Sequence, residues 1–214
     1  MNVTTTRPPA RTDVATAPTT HTDAPSSSTV RNHGLALVAG AGAWSAVSFV
    51  YGFDPDTELG VKLQDFGGLA FQAGVMALVG LQLRTRATGV TRKAVAMLKV
   101  ERVLLGLAML WSLLHAVLPS QREATWLMIL DVFWPLSMLG MFVIGVKIAF
   151  AGRWRGAARV WPLVAESWVV VTLPMMAIFG TTVGDFVGAS HLLVGYTTLG
   201  LIIAARPALV GARD

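Results

Sequence analysis

No cysteine occurs in the 214 residues, which excludes disulfides, thiolate metal centres, iron–sulfur clusters and a thiol nucleophile. Charge is scarce: 14% of residues are Asp, Glu, Lys or Arg, where a soluble domain carries about 25%. With 54% hydrophobic residues and a mean hydropathy of +0.60, too little polar material is left to coat a water-soluble globule. The short signatures of enzymes are missing as well. There is no Gly-rich phosphate loop ending in Lys-Ser or Lys-Thr, no HExxH, no GxSxG and no aspartate pair assignable to a membrane hydrolase.

What the chain does contain is a series of apolar runs, at 34–53, 66–83, 94–118, 126–150, 160–179 and 186–205. Each is long enough to cross roughly 30 Å of hydrocarbon as a helix. The expected fold is therefore all-α, a polytopic bundle of six transmembrane helices. Before it, residues 1–32 are rich in Thr, Pro, Ser and Ala and are expected to be a disordered cytoplasmic tail, with His21 and His33 solvated and without a role. No apolar stretch precedes Gly34, so a cleaved secretory signal is not expected. Residues 33–206 form the membrane domain and 207–214 a short cytoplasmic C-terminal tail.

Charge fixes the expected orientation. Asp54, Asp56, Glu58 and Asp65 follow the first run, and Arg84, Arg86, Arg92 and Lys93 follow the second. Arg153, Arg155 and Arg159 follow the fourth, Asp185 precedes the sixth, and Arg206 and Arg213 come after it. Every basic cluster, Arg31 included, falls on one side, so both termini are expected in the cytoplasm of a multi-pass plasma (bacterial inner) membrane protein. The net charge of +5 is thus read as topology, and no nucleic-acid partner is expected. The lipid bilayer is the expected partner, with a protein subunit or a second copy left open. Trp126, Trp154 and Trp161 stand near span ends, where amphipathic rings favour the headgroup level.

Ala39 and Ala43 in the first span, and Gly184 and Gly188 in the sixth, are small residues four apart that allow close helix approach. Pro135 and Pro174 each remove a backbone donor inside a span, where a kink is expected. Shifting the second hairpin onto the first superposes Gly145 on Gly80 and Glu166 on Glu101, a weak sign of an internal repeat.

Ionisable side chains inside a span cost about 2.5–3.5 kcal/mol each on insertion scales, so each asks for a partner or a purpose. An outer layer of His115, Asp131 and His191 lies within about 6–9 Å of the outer surface at the helical rise, with Trp111 and Trp134 a turn or so away. Two imidazoles on different helices can ligate a b-type haem, or a divalent metal together with Asp131. They can equally hydrogen-bond to Asp131, Ser112, Ser190 or water, the commoner outcome. An inner layer holds Glu101 and Glu166, with Lys99, Arg102 and Lys147 at similar depth as the expected neutralising cations. Glu166 stands out because 161–172 contains no cation; unless one comes from another helix, it suits proton coupling.

Three functional classes follow. The favoured one is a non-enzymatic transporter, or an accessory protein that binds a small molecule or partner, without a cofactor. The alternative is a membrane haem or metal oxidoreductase using His115 and His191. A membrane-embedded hydrolase or transferase comes third, because the loops are too short to recruit a substrate.

Overall fold

The computed structural model describes residues 24–213, and every regular element in it is helical. The tail reading for residues 1–23 lies outside the described residues. Within them helix begins earlier than expected: the Ser26 hydroxyl accepts from the Thr29 backbone N–H at 3.3 Å, and α1 runs from Ser27 to Tyr51. Thr57 and Thr91 cap α2 (Glu58–Arg84) and α3 (Arg92–Val117) in the same way. Each hydroxyl satisfies an N–H that the first turn leaves without a partner.

The remaining apolar runs are interrupted. The fourth divides into α4 (Thr125–Asp131) and α5 (Phe133–Ala151), the fifth into α6 (Gly156–Glu166) and α7 (Trp168–Phe179). The sixth comprises α8 (Thr181–His191), one π-helical stretch (Leu192–Thr197) and α9 (Thr198–Ala205). Five helical stretches are long and apolar enough to cross a membrane: α1, α2, α4 with α5, α6 with α7, and α8 through α9. The chain is thus an all-helical protein with the make-up of a multi-pass membrane protein. Those five do not include α3, whose first half carries Lys93, Lys99, Glu101 and Arg102.

α1 packs against α2, α8, the π-helical stretch and α9, while α3 packs between α2 and α5. Glycine permits this closeness. A Cβ at Gly34 or Gly200 would stand 2.6 Å from the other's carbonyl oxygen, and Gly40 and Gly74 meet the backbones of Ala70 and Ala36. Ala39 and Ala43, the expected contact pair, face outward instead, because the inward face of α1 is Gly34, Leu37, Gly40, Ala41, Trp44 and Ser48. Gly184 and Gly188 do sit at contacts, against Met176 and against Phe53 with Thr172. Large apolar side chains are exposed on the outward faces, Val100, Val103, Leu110, Leu113 and Val117 of α3 among them. A surface so apolar belongs against lipid or another apolar partner.

One end of the bundle collects the basic connections. The Trp154 indole donates to Thr85 Oγ1 at 2.9 Å, joining the α5–α6 connection to the end of α2, and Arg155 N donates to Leu209 O at 2.9 Å. The first and last described segments meet there too, with Ser27 N donating to Arg213 O at 3.0 Å and Arg213 N to Pro25 O at 3.1 Å. Trp154, expected at a headgroup interface, is buried in that junction. The acidic connections gather at the opposite end, where Arg122 reaches Glu58 at 2.7 Å and Asp185 Oδ1 accepts from Phe53 N at 3.3 Å.

Candidate functional site

The acidic half of the bundle encloses a cavity of about 290 Å³. Its walls come from most of the helices: Trp44 of α1, Gln64, Asp65 and Gly68 of α2, Trp111 and Ser112 of α3, Asp131 at the end of α4, Trp134 of α5, and Trp168, Leu173 and Met176 of α7, with Phe53 closing it from the loop after α1. Three indoles meet in one wall, with Trp44 and Trp168 inclined at 33° and 5.9 Å between centroids. Trp134 stands edge-on to Trp44 (5.9 Å between centroids, 86°) and to Trp168 (5.4 Å, 87°). Phe53 adds another perpendicular ring, 5.4 Å and 80° from Trp168.

Local chemistry fixes these rings. Trp44 Nε1 donates to Gln64 Oε1 at 2.7 Å, and Gln64 Nε2 donates to Ser48 Oγ and to the Gly52 carbonyl. Trp168 Nε1 donates to Gly188 O at 3.0 Å. With their N–H groups committed to the scaffold, both indoles line the cavity, and Trp44 also stacks on Phe71 (5.0 Å, 27°). A π-face is the negative side of an aromatic ring and attracts cations.

The polar wall is acidic. Asp65, 7% exposed, accepts from His115 Nδ1 at 2.8 Å, and His115 stacks on Trp111 at 4.9 Å between centroids. Asp131 lies at the lip, exposed, within electrostatic range of His115, and accepts no hydrogen bond among the described residues. Its place follows from Pro135: lacking an N–H, the proline cannot bond the Asp131 carbonyl one turn earlier, and the helix breaks there at Val132.

A second polar cluster lies deeper, toward the basic end. Glu166 is fully buried and accepts from Gln82 Nε2 at 3.1 Å. Glu101, 2% exposed, accepts from Ser137 Oγ at 2.5 Å. Glycine makes room for both on α5: a side chain at Gly140 would collide with the Glu101 carboxylate, and a Cβ at Gly145 would stand 2.6 Å from Glu166 Oε2. The two glutamates interact electrostatically with each other and with Tyr196.

The sequence brought some of these residues into view and misjudged others. His115, Asp131, Trp111 and Trp134 do gather at the outer site. His191 does not: its ring bonds the Ala165 carbonyl at 3.3 Å and lines a shallow surface hollow with Phe186, Val187, Ser190 and Val194. His115 bonds Asp65 and stacks on Trp111, while His191 bonds the Ala165 carbonyl, so the two imidazoles have different neighbours. Among the described residues, no three His, Asp or Glu side chains gather as a metal site. Glu101 and Glu166 do come together, but Lys99, Arg102 and Lys147 are exposed and none forms an ion pair with either. The cavity residues missed were Trp44, Trp168, Gln64 and Asp65. Asp65 was visible as a loop charge, but two residues of context do not reveal that α2 starts at Glu58 and carries it inside.

No protein-family model, no curated protein and no solved structure matches this chain.

Proposed function

We propose that this chain is a six-span membrane protein, with both ends in the cytoplasm, that binds an organic cation with an apolar body in the tryptophan-walled cavity of its outer half. The observation that carries the reading is a cluster of four rings, Trp44 and Trp168 inclined at 33° with Trp134 and Phe53 edge-on to both, lining one cavity with the carboxylates Asp65 and Asp131. Aromatic faces hold a desolvated cation with about 2 kcal/mol or more each in favourable geometry. The carboxylates add Coulombic attraction and disfavour an anion by the same term. A cavity near 290 Å³ suits a small amine or ammonium ion. Transport or presentation of such a ligand fits better than catalysis, since no nucleophile with an adjacent base faces the cavity.

The topology has its own support. The hydrogen bonds joining Pro25 and Ser27 to Arg213 favour an even number of crossings between them, and five apolar stretches leave α3 to supply the sixth. Its outward residues are apolar from Val103 to Val117, and its lysines and arginines cluster at the end where the other basic connections meet. The positive-inside rule assigns that end to the cytoplasm.

The test is a fluorescence titration of the purified protein in detergent with tetraethylammonium and ethidium. Saturable quenching of tryptophan emission is expected, weakened about tenfold or more by Trp134→Ala, since a lost wall of about 1.4 kcal/mol is a factor of ten. Asp131→Asn is expected to weaken the cations without affecting an uncharged analogue of ethidium. Equal binding of charged and uncharged probes to wild type overturns the reading.

A further inference from the structure

α2 buries one continuous face, Gln64, Gly68, Gln72, Val75, Val79 and Gln82. Those positions run inward from the cavity wall to the glutamates. Ser112, also in the cavity wall, donates to Gln72 Oε1 at 3.1 Å, while Gln72 Nε2 is buried with no partner in the chain. From Gln72 to Gln82 is roughly 15 Å along the helix, with valines between. Tyr196 packs against the outer part of that interval. Its ring rests edge-on against Phe71 at 4.8 Å, beside Gln72, and its hydroxyl lies in electrostatic range of both Glu101 and Glu166.

The hydrogen bonding at the inner end is incomplete in a particular way. Gln82 Oε1, Glu166 Oε2 and the Tyr196 hydroxyl are each buried without a hydrogen-bond partner among the described residues. Among the described residues, no lysine or arginine forms an ion pair with either glutamate. Glu166 is bonded by Gln82 from α2 and lies against the α5 backbone at Gly145, with Glu101 from α3 and Tyr196 from the π-helical stretch within electrostatic range. A proton on Glu166 removes its charge without a cation and gives the carboxyl one O–H donor.

We propose that Glu101 and Glu166 form a buried proton site, joined through Tyr196, Gln72 and internal water to the outer cavity, and that the protein exchanges one proton from this site for one cation in the cavity. The inference rests on the cation reading above and adds the ion that the cation is exchanged against. The step balances simply: the carboxylic O–H of the loaded site gives its proton to solvent, the carboxylate keeps the electron pair, and the entering cation restores the charge. By linkage the cation binds more tightly as pH rises, by up to about tenfold per unit for a one-for-one exchange.

The experiment adds ethidium to wild-type protein in weakly buffered detergent solution, with tryptophan quenching and a pH-indicator dye read in the same titration. Quenching accompanied by proton release, and lost release with retained quenching in Glu166→Gln, are the expected results. Release undiminished in Glu166→Gln assigns the proton to Asp65, Asp131 or the His115 bonded to Asp65, and overturns the exchange at the glutamates. Tyr196→Phe, which keeps the ring and removes the hydroxyl, is expected to slow the release at least tenfold while leaving quenching intact. In proteoliposomes, an imposed pH gradient is expected to drive ethidium accumulation through wild type and not through Glu166→Gln. Quenching without proton release in wild type sinks the exchange and leaves the cavity reading standing. Absence of quenching sinks both.

Discussion

A carboxylate taken out of water without a cation is among the most costly groups a helix bundle can hold, at several kcal/mol per ion even after relaxation. Glu166 is buried, and the residue that makes this possible is Gly145, on which the helices α5 and α6 touch. A methyl at Gly145 would meet Glu166 Oε2 at 2.6 Å, Pro162 O at 3.0 Å and Leu163 Cα at 3.1 Å, two of them backbone atoms that cannot rotate away. Gly80, its partner in the proposed sequence repeat, has open space around the same position. Gly145→Ala is therefore expected to destabilise by about 1–3 kcal/mol, while Gly80→Ala leaves stability at or slightly above wild type. Thermal unfolding in detergent separates the two; equal effects would mean that α5 and α6 are not in contact at Gly145. The presence of Glu166 and its lack of a nearby cation were legible in the sequence, because a carboxylate in an apolar run announces itself. The absence of neutralisation by Lys147 was not, since helical phase turns Lys147 outward while its neighbours Ile144, Gly145 and Ile148 face in.

At the scale of elements, the two innermost irregularities of the spans complete each other. The break between α6 and α7 frees the carbonyls of Val164 and Ala165; the Ser167 hydroxyl takes the first at 2.8 Å and the His191 ring lies against the second at 3.3 Å. In return the Trp161 indole donates to Gly195 O at 3.0 Å, a carbonyl of the π-helical stretch. Backbone polar groups at membrane depth must be satisfied within the protein, and here each interrupted helix supplies donors to the other. Gly195 lets them close, since a Cβ there would stand 2.9 Å from Ala165 Cα. His191→Ala removes one side of this seam and is expected to cost about 1–3 kcal/mol, the value of a buried backbone acceptor left unpaired. Its thermal midpoint should fall while ethidium quenching stays at wild-type strength; an unchanged midpoint would remove His191 from the seam. Sequence alone favoured Pro174 as the site of the kink in the fifth span, yet the helix is interrupted at Ser167, with Pro174 inside α7. Proline shows where a donor is missing but not where neighbouring helices supply substitutes, which is tertiary information. At Pro135 the rule did hold, because the break falls one turn before it, at Val132.

At the scale of the whole molecule, the same charge pattern that orders the loops also sorts the two polar sites. The aromatic cavity lies among the acidic connections, near Glu58 and Asp185, and the glutamate pair lies toward the end where Arg153, Arg155, Ser27 and Arg213 meet. A cation approaching from the acidic side meets attraction before it meets the bundle's excess of arginine, so the orientation of the bundle sets the direction from which the cavity loads. That the chain is helical, apolar and divided into hairpins was plain from its hydropathy, because the period and length of apolar runs survive without tertiary contacts. The count of crossings depends on α3 alone. The absence of native cysteine makes it testable by single introduced thiols: Val90→Cys between α2 and α3 and Ser120→Cys after α3, both at exposed positions. With six crossings and cytoplasmic ends, a membrane-impermeant maleimide added to intact cells labels Ser120→Cys and reaches Val90→Cys only after the membrane is opened. If α3 lay on the surface without crossing, both thiols would react on the same side, and the cavity would no longer have its walls drawn from one face of the membrane.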